Sequence, residues 1–336
     1  MTGVRRPGGR DPKTDRQDRF GDYRVNPRRR AWLSQSLSIV EESHDNPSDA
    51  RCNRKTGFYQ MAEWKLPEAC VFNGRTVRYG VRGDGPPVVI VHGTPWSSFN
   101  MRHIIEALSQ NSTVYYYDLI GYGQSDKSPG DVSLGIQNRL LDHLLDHWRL
   151  DNPSIIGHDF GGTTVLRTHL ISGRDFDNIV LIDPVAVAPW GSPFFQHVNA
   201  HEAAFAGVPD YIHEAIVRAY VKTAAFKPID GAIMDSILLP WTGPDGKAAF
   251  YRQIAQANSG YTDEVQPLYV QISRPVLILW GREDTWIPVE RGEVLHDMIP
   301  GSRFHVIPDA GHLVIEEQPD QLINKIHPFF QNEDIV

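Results

Sequence analysis

Short runs of consecutive apolar residues recur along the chain and predict buried strands. Stretches with apolar positions at helical spacing separate most of these runs, for example residues 133–147 and 163–172. Because buried strands that alternate with helices form parallel sheets, the pattern predicts an α/β fold with a mainly parallel central sheet and helices on both faces. The apolar runs are residues 88–91, 113–117, 154–156, 179–182, 276–279 and 304–307.

Two segments depart from this alternation. Residues 71–72 and 77–79 flank Asn73-Gly74, and this arrangement predicts a two-residue β-hairpin. Residues 188–268 are helix-like, contain many prolines and aromatic residues, and show no clear strand. A helical insert between two strands of a sheet predicts a lid subdomain.

The first part of the chain differs in composition from the rest. Residues 1–60 contain a run of three arginines, several prolines and glycines, and little apolar periodicity. They predict a basic, mostly disordered tail. The remainder then divides into a first core segment at 61–187, the helical lid at 188–268 and a second core segment at 269–336.

Composition narrows the classes of function. The chain has 336 residues, of which 41% are hydrophobic, enough for one α/β domain with an insert. Its net charge of −8 argues against nucleic acid as the main partner. Two cysteines, no apolar run of about 20 residues and no signal-peptide core predict a cytoplasmic protein without a membrane span.

The motif that points most directly to a catalytic function is a turn around Asp159. A predicted buried strand ends, Asp159 stands between Gly157 and Gly161, and a predicted helix begins. This is the spacing of a nucleophile elbow, in which small neighbours let the chain make a sharp turn under the nucleophile. A carboxylate in that place attacks carbon and forms an alkyl ester, which water must then hydrolyse. The alternative interpretation is that Asp159 only caps the helix.

Hydrolysis of such an ester needs a base and an acid that orients it. His312 follows the last apolar run, on a predicted loop, and is the predicted base. Asp284 follows the run at 276–279 and is the predicted orienting acid. Asp183 follows the run at 179–182 and remains a rival for that role.

A pocket for the developing negative charge is expected beside Asp159. The backbone N–H groups of Thr94 and Phe160 are placed to point at one spot above its carboxylate. Trp96, two residues after Thr94, adds an indole N–H of unknown direction.

These residues resemble the haloalkane dehalogenase and epoxide hydrolase branch of the α/β-hydrolase superfamily, over about residues 66–330. The resemblance implies the α/β-hydrolase fold, Asp159 as nucleophile, a covalent alkyl-enzyme ester, a lid that selects the substrate, and no cofactor or metal. The motifs that carry it are His92-Gly93-Thr94-Pro95-Trp96-Ser97-Ser98, Asp118-Leu119-Ile120-Gly121-Tyr122-Gly123-Gln124-Ser125, Gly157-His158-Asp159-Phe160-Gly161-Gly162 and Gly311-His312.

The two activities of this branch treat the leaving group differently. Haloalkane dehalogenases usually carry Trp directly after the nucleophile, whereas this chain has Phe160, which has no donor. Epoxide hydrolases use lid tyrosines as proton donors, and Phe250-Tyr251-Arg252 resembles the step that carries one of them. Tyr211 and Tyr220 are candidates for a second proton-donating tyrosine, and only their location in the lid suggests them.

The sequence therefore predicts an epoxide hydrolase-like enzyme whose partners are a small apolar organic substrate and water. A haloalkane dehalogenase-like hydrolase, with Trp96 and Thr94 as halide donors, is the first alternative. A ligand-binding protein that keeps the fold without turnover is the second.

Overall fold

The apolar runs form strands of one eight-stranded sheet in the computed structural model, which describes Gly3 and residues 64–333. The sheet order is β1-β2-β4-β3-β5-β6-β7-β8. Pairing is antiparallel between β1 and β2 and between β2 and β4, and parallel elsewhere, so the predicted mainly parallel sheet is confirmed. The strands are β1 (Glu68–Phe72), β2 (Arg75–Arg82), β3 (Pro87–Val91), β4 (Thr113–Tyr117), β5 (Ser154–His158), β6 (Ile179–Ile182), β7 (Val276–Gly281) and β8 (Arg303–Ile307).

The hairpin predicted at the start of the sheet is confirmed. β1 and β2 pair with Phe72 opposite Arg75, which leaves two residues for the turn. Asn73 and Gly74 both have positive φ, 50° and 77°, as a type I′ turn requires. The tail predicted for residues 1–60 lies outside the described residues, apart from Gly3.

Helices cover the sheet, and a group of them interrupts it. We call the helical segment between β6 and β7, residues 188–271, the lid. Within residues 64–333, no helix combines the length and the apolar content needed to cross a bilayer. The core helices are α1 (Arg102–Leu108), α2 (Leu134–Trp148), α3 (Phe160–Leu170), α10 (Glu290–Met298), α11 (Val314–Glu317) and α12 (Pro319–Phe330). The lid helices are α4 (Pro193–Ala200), α5 (Glu202–Ala206), α6 (Asp210–Lys222), α7 (Gly231–Leu238), α8 (Gly243–Ala255) and α9 (Gly260–Asp263).

The central parallel strands bring the polar residues of the sequence motifs to one edge of the sheet. β5 lies between β3 and β6, and β7 follows β6 on the other side. Every residue of β6 and β7 is buried, because helices cover both faces. Parallel strands end on the same side, so the residues that directly follow β3, β5, β6, β7 and β8 meet there.

Candidate active site

Asp159 stands on a strained turn between β5 and α3. Its φ of 53° and ψ of −119° lie outside the regions that non-glycine residues ordinarily adopt. A Cβ at Gly157 would lie 2.6 Å from the carbonyl oxygen of Gly161, so the strand and the helix approach closely only because glycine stands there. The turn thus holds the Asp159 side chain in one direction, beyond the end of β5.

Three side chains from different loops meet at this turn. The Oδ2 atom of Asp159 lies 3.3 Å from Nε2 of His312, and Nδ1 of His312 lies 2.8 Å from Oδ2 of Asp284. The other Asp284 oxygen accepts the backbone N–H groups of Trp286 and Ile287, at 2.8 and 2.9 Å. All three side chains are buried, so these contacts are shielded from water.

The charge of His312 depends on its two acidic neighbours. Burial by itself would lower the pKa of His312, but the negative charge of Asp284, the Asp159 carboxylate 3.3 Å away and the hydrogen bond to Asp284 raise that pKa well above its usual range. The two neighbouring carboxylates therefore favour the protonated form of the imidazole. Esterification of Asp159 would remove one of these charges, so the pKa of His312 would fall and the ring would become a better base.

Asp183, the rival acid, lies nearby but makes a different contact. One oxygen of its carboxyl group accepts the backbone N–H of Gly281 at 2.8 Å, whereas the other, Oδ2, is buried without a hydrogen-bond partner among the described residues. Complete burial, and then the negative charge of Asp284, raise the pKa of Asp183 well above its usual range. The structure thus brings Asp284, and not Asp183, into hydrogen-bond contact with His312.

A backbone donor holds the second oxygen of Asp159. The Thr94 N–H donates to Asp159 Oδ1 at 2.5 Å, as the sequence predicted for the loop after β3. Phe160, the other predicted donor, is the first residue of α3, and its ring contacts Trp190 and Phe195 at centroid distances of 5.7 and 6.2 Å. Thr94 therefore binds one carboxylate oxygen while His312 lies against the other.

A small cavity opens beside the carboxylate of Asp159. Its walls are mainly apolar and aromatic, and no Lys, Arg or His is among the lining residues. Tyr220 and Ser192 are the lid residues with a hydroxyl group among those that line it. The cavity is lined by Thr94, Asp159, Phe160, Val185, Trp190, Gly191, Ser192, Phe195, Tyr220, Trp286 and Ile287.

Two residues predicted from the sequence do not line this cavity. Tyr251 is fully buried in α8, where its hydroxyl lies 3.0 Å from Nδ1 of His213. Trp96 is buried and stacks on Trp286 with ring centroids 5.8 Å apart, and Trp286, not Trp96, is among the residues that line the cavity. The prediction that Tyr251 and Trp96 face the substrate is corrected accordingly, because packing of the lid and of the aromatic stack turns both side chains elsewhere.

The tyrosine that does line the cavity is Tyr220, on α6. Its ring stacks on Trp286 at 4.4 Å, and Trp286 in turn stacks on His312 at 5.1 Å. Burial, together with the negative charge of Asp159, raises the pKa of Tyr220 above its usual value, so its hydroxyl keeps its proton at neutral pH. Tyr211, the other tyrosine named by location, is 72% exposed.

Two indoles line the cavity, Trp190, which the sequence offered as either a pocket or a lid-core aromatic residue, and Trp286, which sequence reasoning missed. Trp190 donates its indole N–H to the Thr262 hydroxyl, and Trp286 donates to the Thr223 hydroxyl, both at 2.9 Å. The position of Trp286, two residues after Asp284, is the signal that could have marked it, because Asp284 binds the backbone of that same turn.

Asp183, Asp284 and His312 also have the spacing of metal ligands, with ligand atoms within 4.8 Å of one another. However, Asp284 and His312 already hydrogen-bond to each other at 2.8 Å, and the remaining Asp284 oxygen accepts two backbone N–H groups. The geometry of these atoms is that of an imidazole oriented by an acid.

Known proteins match both the sequence and the structure. The model of the Alpha/beta hydrolase family matches residues 88–325. A solved alpha/beta hydrolase fold protein from Burkholderia ambifaria is 44% identical, with a TM-score of 0.77, over 78% of this chain and 97% of that chain. The haloalkane dehalogenase DatA from Agrobacterium tumefaciens is 20% identical, with a TM-score of 0.66, over 79% of this chain and 96% of that chain, and this likeness shows the fold alone.

A curated relative adds a match at the level of sequence. The cis-3-alkyl-4-alkyloxetan-2-one decarboxylase from Shewanella oneidensis is 27% identical over 286 residues, which cover 76% of this chain and 86% of the relative. The family match spans most of the chain and includes the elbow at Asp159 and the loop of His312. This chain belongs to the alpha/beta hydrolase family.

Proposed function

We propose that this hydrolase opens a small, neutral epoxide through a covalent ester on Asp159. One observation carries the proposal: a carboxylate on the elbow, held by Thr94 N–H on one oxygen and facing His312 with the other, lines an apolar cavity. A substrate with its own carboxylate would lose hydration there without meeting a cation, because the lining residues include no Lys or Arg.

In the first step, Oδ2 of Asp159 attacks a ring carbon. A bond forms between that oxygen and the carbon, the carbon–oxygen bond of the ring breaks, and the ring oxygen keeps the electron pair. Tyr220, which lines the same cavity, donates its hydroxyl proton to that oxygen. The alkoxide is more basic than phenolate, so this transfer is downhill.

In the second step, water hydrolyses the ester. His312 takes one proton from water, the hydroxide oxygen adds to Cγ of Asp159, and Thr94 N–H stabilises the negative charge on Oδ1. The bond from Cγ to the alkyl oxygen then breaks, and the second water proton leaves with the diol. Before it acts as the base, the ring gives the proton that it holds beside the two carboxylates to the Tyr220 phenolate. The proton taken from water then leaves His312 as it began, so one epoxide and one water give one diol.

The donors around the cavity favour an epoxide over a haloalkane. A departing halide needs N–H donors, but the indole N–H groups of Trp190 and Trp286 bind threonine hydroxyls. The side chain of Phe160 has no donor, and the Thr94 hydroxyl donates to Gln253 at 2.6 Å. An alkoxide needs one proton, which the hydroxyl of Tyr220 supplies.

Product analysis with matched substrates tests this proposal. The purified protein should convert alkyl and aryl epoxides to diols and release bromide from 1-bromoalkanes of the same length at least about 100-fold more slowly. An alkyl-substituted oxetan-2-one belongs in the panel, because the Shewanella relative is named for such a strained oxygen ring. Bromide release without any diol would favour the dehalogenase alternative, and binding without any product would favour the ligand-binding one.

Replacing Tyr220 with Phe should slow epoxide opening by about 10²- to 10⁴-fold, the usual contribution of a general acid. The change keeps the ring that stacks on Trp286 and removes only the hydroxyl. Single-turnover formation of the Asp159 ester measures the effect. Tyr251→Phe is the matched control and should stay within about 3-fold, because that hydroxyl lies on His213. The opposite pattern would return the donor role to Tyr251.

A further inference from the structure

Side chains of the lid bind the loop that carries Thr94. Gln253, on α8, is 2% exposed, and its Oε1 accepts the Thr94 hydroxyl at 2.6 Å and the Tyr122 hydroxyl at 3.0 Å. A second lid residue, Trp241, donates its indole N–H to the carbonyl oxygen of Pro95 at 2.8 Å. Two consecutive residues of the loop after β3 are therefore bound by side chains from the lid.

Packing alone does not account for Gln253. Its Nε2 group is buried and has no hydrogen-bond partner among the described residues, which is unfavourable for stability. An apolar side chain of similar length would fill the same space without that cost. What Gln253 adds is an acceptor for the hydroxyl of the residue whose backbone N–H binds Asp159 at 2.5 Å.

We infer that Gln253 is a positioning residue, which holds the Thr94 N–H on Asp159 Oδ1 by binding the Thr94 hydroxyl from the lid. The inference rests on the proposed ester mechanism and assigns the lid a part in its second step. Without the acceptor at Gln253, the Thr94 side chain loses its anchor and the peptide N–H of Thr94 is free to tilt away from Oδ1.

The two chemical steps depend differently on this N–H group. During attack on the substrate, the N–H withdraws charge from the Asp159 nucleophile and gives no assistance. During hydrolysis, negative charge develops on Oδ1, and the same N–H stabilises it. Loss of the Gln253 contact should therefore slow hydrolysis of the ester and spare its formation, whereas a general loosening of the lid would affect substrate binding and both steps.

Single-turnover kinetics of Gln253→Met in the full-length protein test this. Formation of the ester, followed by intact mass, should stay within about 3-fold of wild type, while its hydrolysis slows about 10- to 100-fold, less than complete loss of a donor would cause. The ester should then accumulate even though His312 is present. Thr94→Val, which removes only the hydroxyl, should likewise slow hydrolysis of the ester and spare its formation. In the double variant, hydrolysis should be no slower than in either single variant.

Gln256 provides the matched control. It stands on the same helical segment and also links lid to core, since it accepts the Val132 N–H at 2.7 Å and donates to the Gly130 carbonyl at 3.0 Å. Gln256→Met should leave both rate constants within about 3-fold of wild type. Equal slowing of both steps in Gln253→Met, or slower hydrolysis with spared ester formation in Gln256→Met, would overturn the inference.

The remaining outcomes separate this inference from the proposed function. If His312→Gln traps an ester on Asp159 and Gln253→Met hydrolyses its ester as fast as wild type, the role of Gln253 alone is overturned. If neither wild type nor His312→Gln ever forms an ester, both the inference and the proposed function are overturned.

Discussion

His312→Gln should leave the protein able to attack its substrate and unable to finish the reaction. Formation of the proposed ester uses the carboxylate of Asp159 and the hydroxyl of Tyr220 and needs no base, whereas hydrolysis of the ester needs a base to take a proton from water, and the Gln amide is not one. Hydrolysis should slow by at least about 10³-fold, so the ester accumulates. Intact mass should show one added substrate, and peptide mapping should place it on the peptide containing Asp159.

Two controls make this prediction specific to Asp159. Asp159→Ala should give neither adduct nor turnover with the same substrate. A wild-type single turnover in heavy-oxygen water should label the Asp159 carboxylate and not the diol, because water attacks Cγ. An adduct on another residue of His312→Gln, or turnover by Asp159→Ala, would disprove the assignment of the nucleophile.

Asp284→Asn should slow ester hydrolysis by about 10²- to 10⁴-fold, and Asp183→Asn should slow it by less than about 5-fold. Asp284 lies 2.8 Å from Nδ1 of His312 and stabilises the positive charge that the ring gains when it acts as a base. An amide at 284 removes that charge and allows the ring to adopt the wrong tautomer. The rate constant for ester hydrolysis, from single turnovers, measures both variants.

The small effect at Asp183 follows from its protonation. Complete burial and the neighbouring Asp284 raise the pKa of Asp183 and so favour its neutral form, which an amide of the same shape replaces closely. The Gly281 N–H that it accepts is retained by the amide oxygen. If Asp183→Asn proved the more damaging of the two changes, Asp183 would be the orienting acid.

The fold was predictable from local patterns because each pattern has a local cause. A continuous apolar run such as residues 276–279 is stable only as a strand covered on both faces, and β7 is buried along its whole length. Asn73-Gly74 predicted a hairpin because few residue pairs tolerate two successive positive φ values. The elbow at Asp159 was visible for a similar reason, since only glycine fits where β5 and α3 approach each other.

The lid was predictable as helices and not as a binding surface. Tyr251 and Tyr220 both belong to amphipathic lid helices, and the sequence contains no pattern that says which of them faces the core loops. The packing of α6 and α8 determines which tyrosine lines the cavity: the ring of Tyr220 stacks on Trp286, and the hydroxyl of Tyr251 contacts Nδ1 of His213. Gln253 was overlooked because a single glutamine in a helix has no local signal, and its partner Thr94 is 159 residues away in sequence.

The sequence by itself determined the succession of strands and helices along the chain and the tight turn at Asp159. It also determined which residues follow the strands and can meet beyond the sheet. Each of these depends on periodicity or on backbone conformation, which neighbouring residues control. Only the tertiary structure shows that Asp284, and not Asp183, hydrogen-bonds to His312, because both acids follow parallel strands that are direct neighbours in the sheet. The choice depends on how the loop after β7 turns one carboxylate oxygen toward His312, and contacts between distant segments control that turn.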